Sequence, residues 1–244
     1  MSKQLGIPLA RQKATVVAAL RATRYTFVDY WLERSSGVAM YERVFDRVLT
    51  TSLAEMLAIR DPEQTLVLDL MSYGQVLREL DVRRGLAVAL TDTRFDGMRG
   101  VDKGKIEMVR GNIFAARTWG KIAAYLERQT EQAERKFWMI LGRPRGGLVN
   151  KLVTPADPLL HFTVLQRLYN MLSSRDGVLL IQVHFSMIGE TRSLVEQLNK
   201  IDGIRAECYF PPRIFFRHPY TRLGQLRIDK GPEAPEKLNG LIEM

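Results

Sequence analysis

The chain has 244 residues, 46% hydrophobic and 26% charged, and carries a net charge of +9, which fits one large globular domain with an extension and excludes a low-complexity or disordered chain. Its single cysteine, Cys208, excludes an intramolecular disulfide and a cysteine-built zinc site. No apolar run reaches the roughly 18 residues that a membrane-spanning helix needs, and the positive charge favours anionic partners.

The opening segment, 1–11, has no apolar core of the secretory kind, so no signal peptide and a cytoplasmic setting are expected. Residues 12–34 read as one or two helical segments carrying Val16, Val17, Leu20, Phe27, Tyr30 and Trp31, and Ser35-Ser36-Gly37 breaks them. From Val38 the apolar positions Tyr41, Val44, Phe45, Val48, Leu49 and Leu53 follow helical spacing. Asp61-Pro62 ends this helix, because the residue before proline is pushed out of the α region. An N-terminal helical extension over 1–63 is thus expected. It has three readings: a cap on a substrate cleft, a dimer contact, or a cover for the sheet.

From residue 64 the texture changes. Five short apolar runs read as strands buried on both faces: Thr65–Leu70, Leu86–Leu90, Ile106–Val109, Phe137–Leu141 and Val178–Val183. Helical segments fall between or after them, over Gln75–Leu80, Trp119–Lys136, Pro158–Leu172 and Thr191–Ile201. Two final strands, Ile204–Phe210 and Gly224–Asp229, lack a long helix between them and suit antiparallel pairing. The alternation predicts an α/β protein: a Rossmann-like, mostly parallel, seven-stranded sheet over 64–230, with helices on both faces. Residues 231–244, with Pro232 and Pro235, are expected to form a loosely ordered tail.

In an open parallel sheet, ligands sit beyond the carboxyl ends of the strands, so the residues after each strand carry the chemistry. After the first strand comes Asp69-Leu70-Met71-Ser72-Tyr73-Gly74-Gln75, an acid followed by a tight turn into a helix. After the second comes Asp92, 23 positions beyond Asp69, a spacing at which an acid accepts from ribose hydroxyls. A helix cap is the structural alternative for Asp92. After the third comes Gly111-Asn112-Ile113-Phe114, which is also an ordinary turn pair. After the fourth comes Gly142-Arg143-Pro144-Arg145, whose arginines are either an anion clamp or solvated loop charges. His184 ends the fifth strand, as a general base or as a structural histidine. No metal site is expected, since His161, His184 and His218 lack ligand spacing.

In the order and spacing of Asp69, Asp92 and Gly111-Asn112, the chain from about 64 to 230 resembles the class I S-adenosylmethionine (SAM)-dependent methyltransferases. It departs from their glycine-rich turn: Met71 stands where the first glycine is usual, and only Gly74 remains. The resemblance implies SAM as cofactor. Asp69, Ser72 and Gly74 would lie at its methionine end, Asp92 at the ribose, and Asn112 and Ile113 at the adenine. Arg143 and His184 would be the substrate-side, catalytic candidates. It implies in-line transfer of the sulfonium methyl group to a nitrogen, oxygen or carbon of the acceptor. The glycine-poor turn leaves a second expectation open, a methyltransferase-like binding or scaffold module without catalysis. A nucleotide-binding oxidoreductase is a third, although Gly-x-Gly-x-x-Gly is missing.

Two basic regions frame the domain. Residues 1–34 hold Lys3, Arg11, Lys13, Arg21, Arg24 and Arg34; residues 204–230 hold Arg205, Arg213, Arg217, Arg222, Arg227 and Lys230, interleaved with Tyr209, Phe210, Phe215, Phe216 and Tyr220. Arginine with aromatics suits nucleic acid, which points to RNA or an RNA-associated acceptor. The alternative is that the aromatics are core residues and the charges face water.

Overall fold

The computed structural model describes residues 37–70, 72, 74–89, 106–111, 113, 116–129, 134–142, 158–184, 187–211 and 223–238. Seven strands form one sheet: β1 (Leu66–Leu70), β2 (Arg84–Ala89), β3 (Ile106–Arg110), β4 (Met139–Gly142), β5 (Gly177–His184), β6 (Ile204–Tyr209) and β7 (Leu223–Lys230). Their order is β3-β2-β1-β4-β5-β7-β6. β7 runs antiparallel to both β5 and β6, and the other pairings are parallel. This is the Rossmann-like, mostly parallel sheet that the alternation of elements predicts, and the last two strands pair antiparallel as expected.

Six described helices flank it: α1 (Val38–Val44), α2 (Leu53–Ala58), α3 (Gln75–Glu79), α4 (Ala116–Glu127), α5 (Pro158–Asn170) and α6 (Ile188–Leu198). Strand alternation divides the core in two. Leu66, Leu68, Leu70, Ile140, Leu179 and Ile181 face one layer with residues of α4, α5 and α6. Val67, Ala87, Met139, Leu141 and Leu180 face the other, with Tyr41, Phe45, Leu53, Val76 and Leu77 from α1 to α3. Every residue of β1 is buried, which is why its run is continuously apolar apart from Asp69.

The extension differs from the single helix that the spacing over 38–61 predicts. It breaks into α1 and α2 because Ser52 starts a new helix: its side chain accepts from Glu55 N while Glu55 returns to the Ser52 backbone. Residues 12–34 lie outside the described residues. α1 and the turn after it are tied to α3, β1 and β7. Glu79 of α3 accepts from Val38 N at 2.7 Å. Tyr41 reaches Asp69. Beyond the helix end, Gln225 of β7 donates to Asp46 Oδ1 at 2.8 Å and accepts from Arg47 N at 3.0 Å. Asp69 lies near the carboxyl end of β1, and Gln225 lies opposite Gln182 near that end of β5. The chain from α1 to Arg47 therefore crosses the carboxyl half of the sheet, from β1 to β7. The described part of the extension packs on one face of the sheet.

The tail is a second correction: residues 231–238 are packed rather than loose. Ala234 and Leu238 are buried, Tyr169 Oη donates to Pro235 O at 2.9 Å, and Leu238 N donates to Asn170 Oδ1 at 2.9 Å. Gly203 makes room for this. Its φ is +77°, and a Cβ there would meet Ala234 N at 2.2 Å. Lys230 is also fully buried, with Nζ 4.4 Å from the centre of the Tyr169 ring and 2.7 Å from Glu236 O. Residues 239–244 lie outside the described residues.

Candidate functional site

β1 neighbours β2 on one side and β4 on the other, so the strand order reverses at β1. The crevice beyond its carboxyl end is where an open α/β sheet places a ligand. The chain there runs Asp69, Leu70, Ser72, Gly74 into α3. Pairing with β2 continues past the strand, since Ser72 N donates to Val88 O at 3.2 Å. The turn closes at Gly74, whose φ of +70° favours glycine, and a Cβ there would approach Ala87 Cβ to 3.1 Å. Gly74 O then accepts from Arg78 N to begin α3.

Asp69 is fully buried on the face covered by α1. Tyr41 Oη donates to its Oδ1 at 2.6 Å, and both residues have no exposed surface. Oδ2 and the Ser72 hydroxyl are buried and make no hydrogen bond among the described residues. Burial pushes the Asp69 carboxyl up to about 7; the nearby Ser72 hydroxyl, Tyr41 and the Gly74 backbone N–H oppose it in part. Ser72 and Gly74 stand beside the carboxylate without closing a hydrogen bond on Oδ2. The turn thus presents one unpartnered carboxylate oxygen and one unpartnered hydroxyl, both desolvated. Buried polar atoms of this kind are rare unless something pairs with them. Together they offer a polar group a carboxyl oxygen, a hydroxyl, and a backbone turn that a side chain would crowd.

The structure brings together Asp69, Ser72 and Gly74 among the cofactor candidates. Ile113 sits apart. Its side chain is buried in the layer with α4 and α5, and its carbonyl accepts from Trp119 Nε1 at 2.6 Å. Asp92, Asn112 and Arg143 lie outside the described residues, as do Met71 and Tyr73. His184 is the last residue of β5, in register with Leu223 at the carboxyl edge.

Two residues near the rim escape a reading of the sequence. Tyr41 reads as one more apolar position of a helix, and nothing local marks a partner 28 residues away. Gln182, inside the run VLLIQV, is buried with Oε1 unpartnered among the described residues. A polar residue in a run buried on both faces was the available signal.

The C-terminal basic region is partly turned inward. Arg227 pairs with Asp229 at 2.9 Å and donates to Val48 O at 3.0 Å, and Lys230 is buried, so neither stands free for a phosphate. Arg205 is exposed, and Phe210 is a core residue. Residues 212–222 lie outside the described residues. Among the described residues no helix is long and apolar enough to cross a membrane, and no group of three or more His, Cys, Asp or Glu gathers as a metal site.

No family model and no curated protein matches the chain. Solved structures do. The release-factor-specific protein-(glutamine-N5) methyltransferase of Alicyclobacillus acidocaldarius is 14% identical, at a TM-score of 0.40, over 74% of this chain and 90% of that one. Precorrin-6y C5,15-methyltransferase of Geobacter metallireducens is 10% identical, at 0.42, over 82% and 91%. TYW2 of M. jannaschii in complex with AdoMet is 13% identical, at 0.37, over 74% and 76%. Likenesses at this level assign neither site nor substrate. Strand order and direction stand without them: the chain has a seven-stranded, mostly parallel, Rossmann-like sheet.

Proposed function

We propose that this chain is a SAM-dependent methyltransferase, with RNA or an RNA-associated molecule as the favoured acceptor class and a cytoplasmic setting. The observation that carries the reading is the turn after β1. At the point where strand order reverses, Asp69 Oδ2 and Ser72 Oγ are buried and unpartnered among the described residues, in a turn that closes at a left-handed Gly74. Asp69, Ser72 and the Gly74 turn would receive the methionine end of the cofactor; Asp92 would take the ribose, and Asn112 and Ile113 the adenine. The bound cofactor supplies an electrophilic methyl group. The task left to the protein is to hold acceptor and methyl donor in line and to keep water out. Arg143 and His184, which follow or end the neighbouring strands β4 and β5, are the candidates for orienting the acceptor and accepting its proton. The basic N-terminal region and exposed Arg205 support the lean towards RNA through phosphate attraction.

Calorimetric titration with SAM and S-adenosylhomocysteine tests the reading. Saturable binding that weakens in Asp92→Ala supports it, and silence at millimolar ligand rejects it.

A second reading, a methyltransferase-like binding module without catalysis, is favoured by one observation. Burial holds the Asp69 carboxyl well above the ordinary carboxylate range, and one of its oxygens is engaged by Tyr41, so it holds a cation less firmly than an ordinary carboxylate. Binding without methyl transfer to any RNA or protein fraction would select it.

A further inference from the structure

We propose that Tyr41 is a positioning residue for the ligand site, through which helix α1 sets the aim and the charge of Asp69. The inference rests on the cofactor reading for the identity of the ligand, but not for the contact itself. The Tyr41 phenol donates to Oδ1 at 2.6 Å inside a fully buried pair. Its ring is held in turn, stacked on Phe45 with centroids 6.2 Å apart. With Oδ1 engaged by Tyr41, Oδ2 is the carboxylate oxygen left without a hydrogen bond among the described residues, as is the Ser72 hydroxyl.

Besides Tyr41, the described groups that pack around Asp69 come from β2, β4, α3 and the turn. On the same sheet face the register neighbours of Asp69 are Ala87 of β2 and Leu141 of β4, both apolar. From α3, Val76 and Leu77 pack into this layer, while the Glu79 carboxylate is engaged by Val38 N and Gln75 Nε2. From the turn come the Ser72 hydroxyl and the Gly74 N–H. Burial is the largest influence on the Asp69 carboxyl, and Tyr41 is one of the three groups that oppose it. A donor to the charged form favours that form. Losing the phenol hydroxyl therefore makes Asp69 more neutral at a given pH and weakens its hold on a cationic group. The docking of the N-terminal extension is thereby coupled to the chemistry of the site, since α1 brings Tyr41 to β1 and Gln225 ties the far end of that segment to β7.

The test uses the full chain, Tyr41→Phe, and carbon-13 labels on the aspartate carboxyl and tyrosine ring carbons. In the wild type, the Tyr41 ring carbon bearing oxygen follows the titration of Asp69. In Tyr41→Phe, which keeps the ring, the Asp69 midpoint moves to higher pH. Affinity for S-adenosylhomocysteine falls about tenfold at pH 7 and recovers towards wild type as the pH is raised. A purely packing role for Tyr41 moves neither midpoint nor pH profile. An Asp69 midpoint identical in the two proteins overturns the proposal. So does a wild-type Tyr41 carbon blind to Asp69, which decides the matter even if the variant does not fold. A midpoint that moves in a protein binding no S-adenosylhomocysteine upholds Tyr41's control of the acid and removes the cofactor reading instead.

Discussion

Tyr41 and Asp69 are joined by a 2.6 Å hydrogen bond in which neither residue keeps any exposed surface. The contact ties the N-terminal extension to the central strand at its carboxyl end. Burial pushes the Asp69 carboxyl up to about 7 from an ordinary 3.8, and the Tyr41 bond opposes that rise.

That displacement predicts a pH dependence of stability. Between about pH 4 and pH 7 the unfolded chain has released the Asp69 proton while the folded chain retains it. The contribution of this site to stability therefore falls as pH rises through that window and is level above it. The full displacement corresponds to at most about 4 kcal/mol. Asp69→Asn, which has no proton to lose, should be more stable relative to wild type at pH 8 than at pH 5. Urea unfolding at the two pH values measures it, and an unchanged difference would contradict the assignment.

Gly74→Ala places a Cβ 3.1 Å from Ala87 in a left-handed residue. Backbone strain alone costs about 1–2 kcal/mol. A lower unfolding midpoint and weaker S-adenosylhomocysteine binding should appear together, because the same turn serves both.

Gln225→Ala removes the donor to Asp46 and the acceptor for Arg47 N. The expected loss is about 1–2 kcal/mol. Faster hydrogen exchange over residues 38–49, with β7 itself unaffected, would distinguish the loss of this anchor from general weakening.

The docked tail predicts that Leu238→Ala, at a buried position beside α5, destabilises by about 2–4 kcal/mol. Gly203→Ala should act in the same direction, since its Cβ has no room beside Ala234. Thermal unfolding of both variants checks this; wild-type midpoints would mean that the tail does not hold.

The fold was legible because burial on both faces of a parallel sheet leaves short apolar runs such as TLVLDL and VLLIQV, with helical spacing between them. The carboxyl-edge position of Asp69, Ser72 and Gly74 follows from the same reading. Other features were not legible for physical reasons. The break between α1 and α2 depends on a reciprocal Ser52–Glu55 cap inside a stretch whose apolar spacing is continuous. The tail looked loose because its prolines and charges say nothing of Gly203, which opens the groove it fills. Arg227 and Lys230 counted as surface charge, yet they are satisfied internally by Asp229, Val48, Glu236 and the Tyr169 ring. Tyr41 was invisible as a site residue because its partner is distant in sequence.

A crystal structure of the wild-type chain grown with S-adenosylhomocysteine tests the central claim most directly. Ligand density is expected beyond the carboxyl end of β1, its amino group within hydrogen-bond distance of Asp69 Oδ2 or Ser72 Oγ, and Tyr41 still bonded to Oδ1. Ligand bound elsewhere, or a saturated crystal with that turn empty and Oδ2 closed off by the protein itself, would contradict that claim.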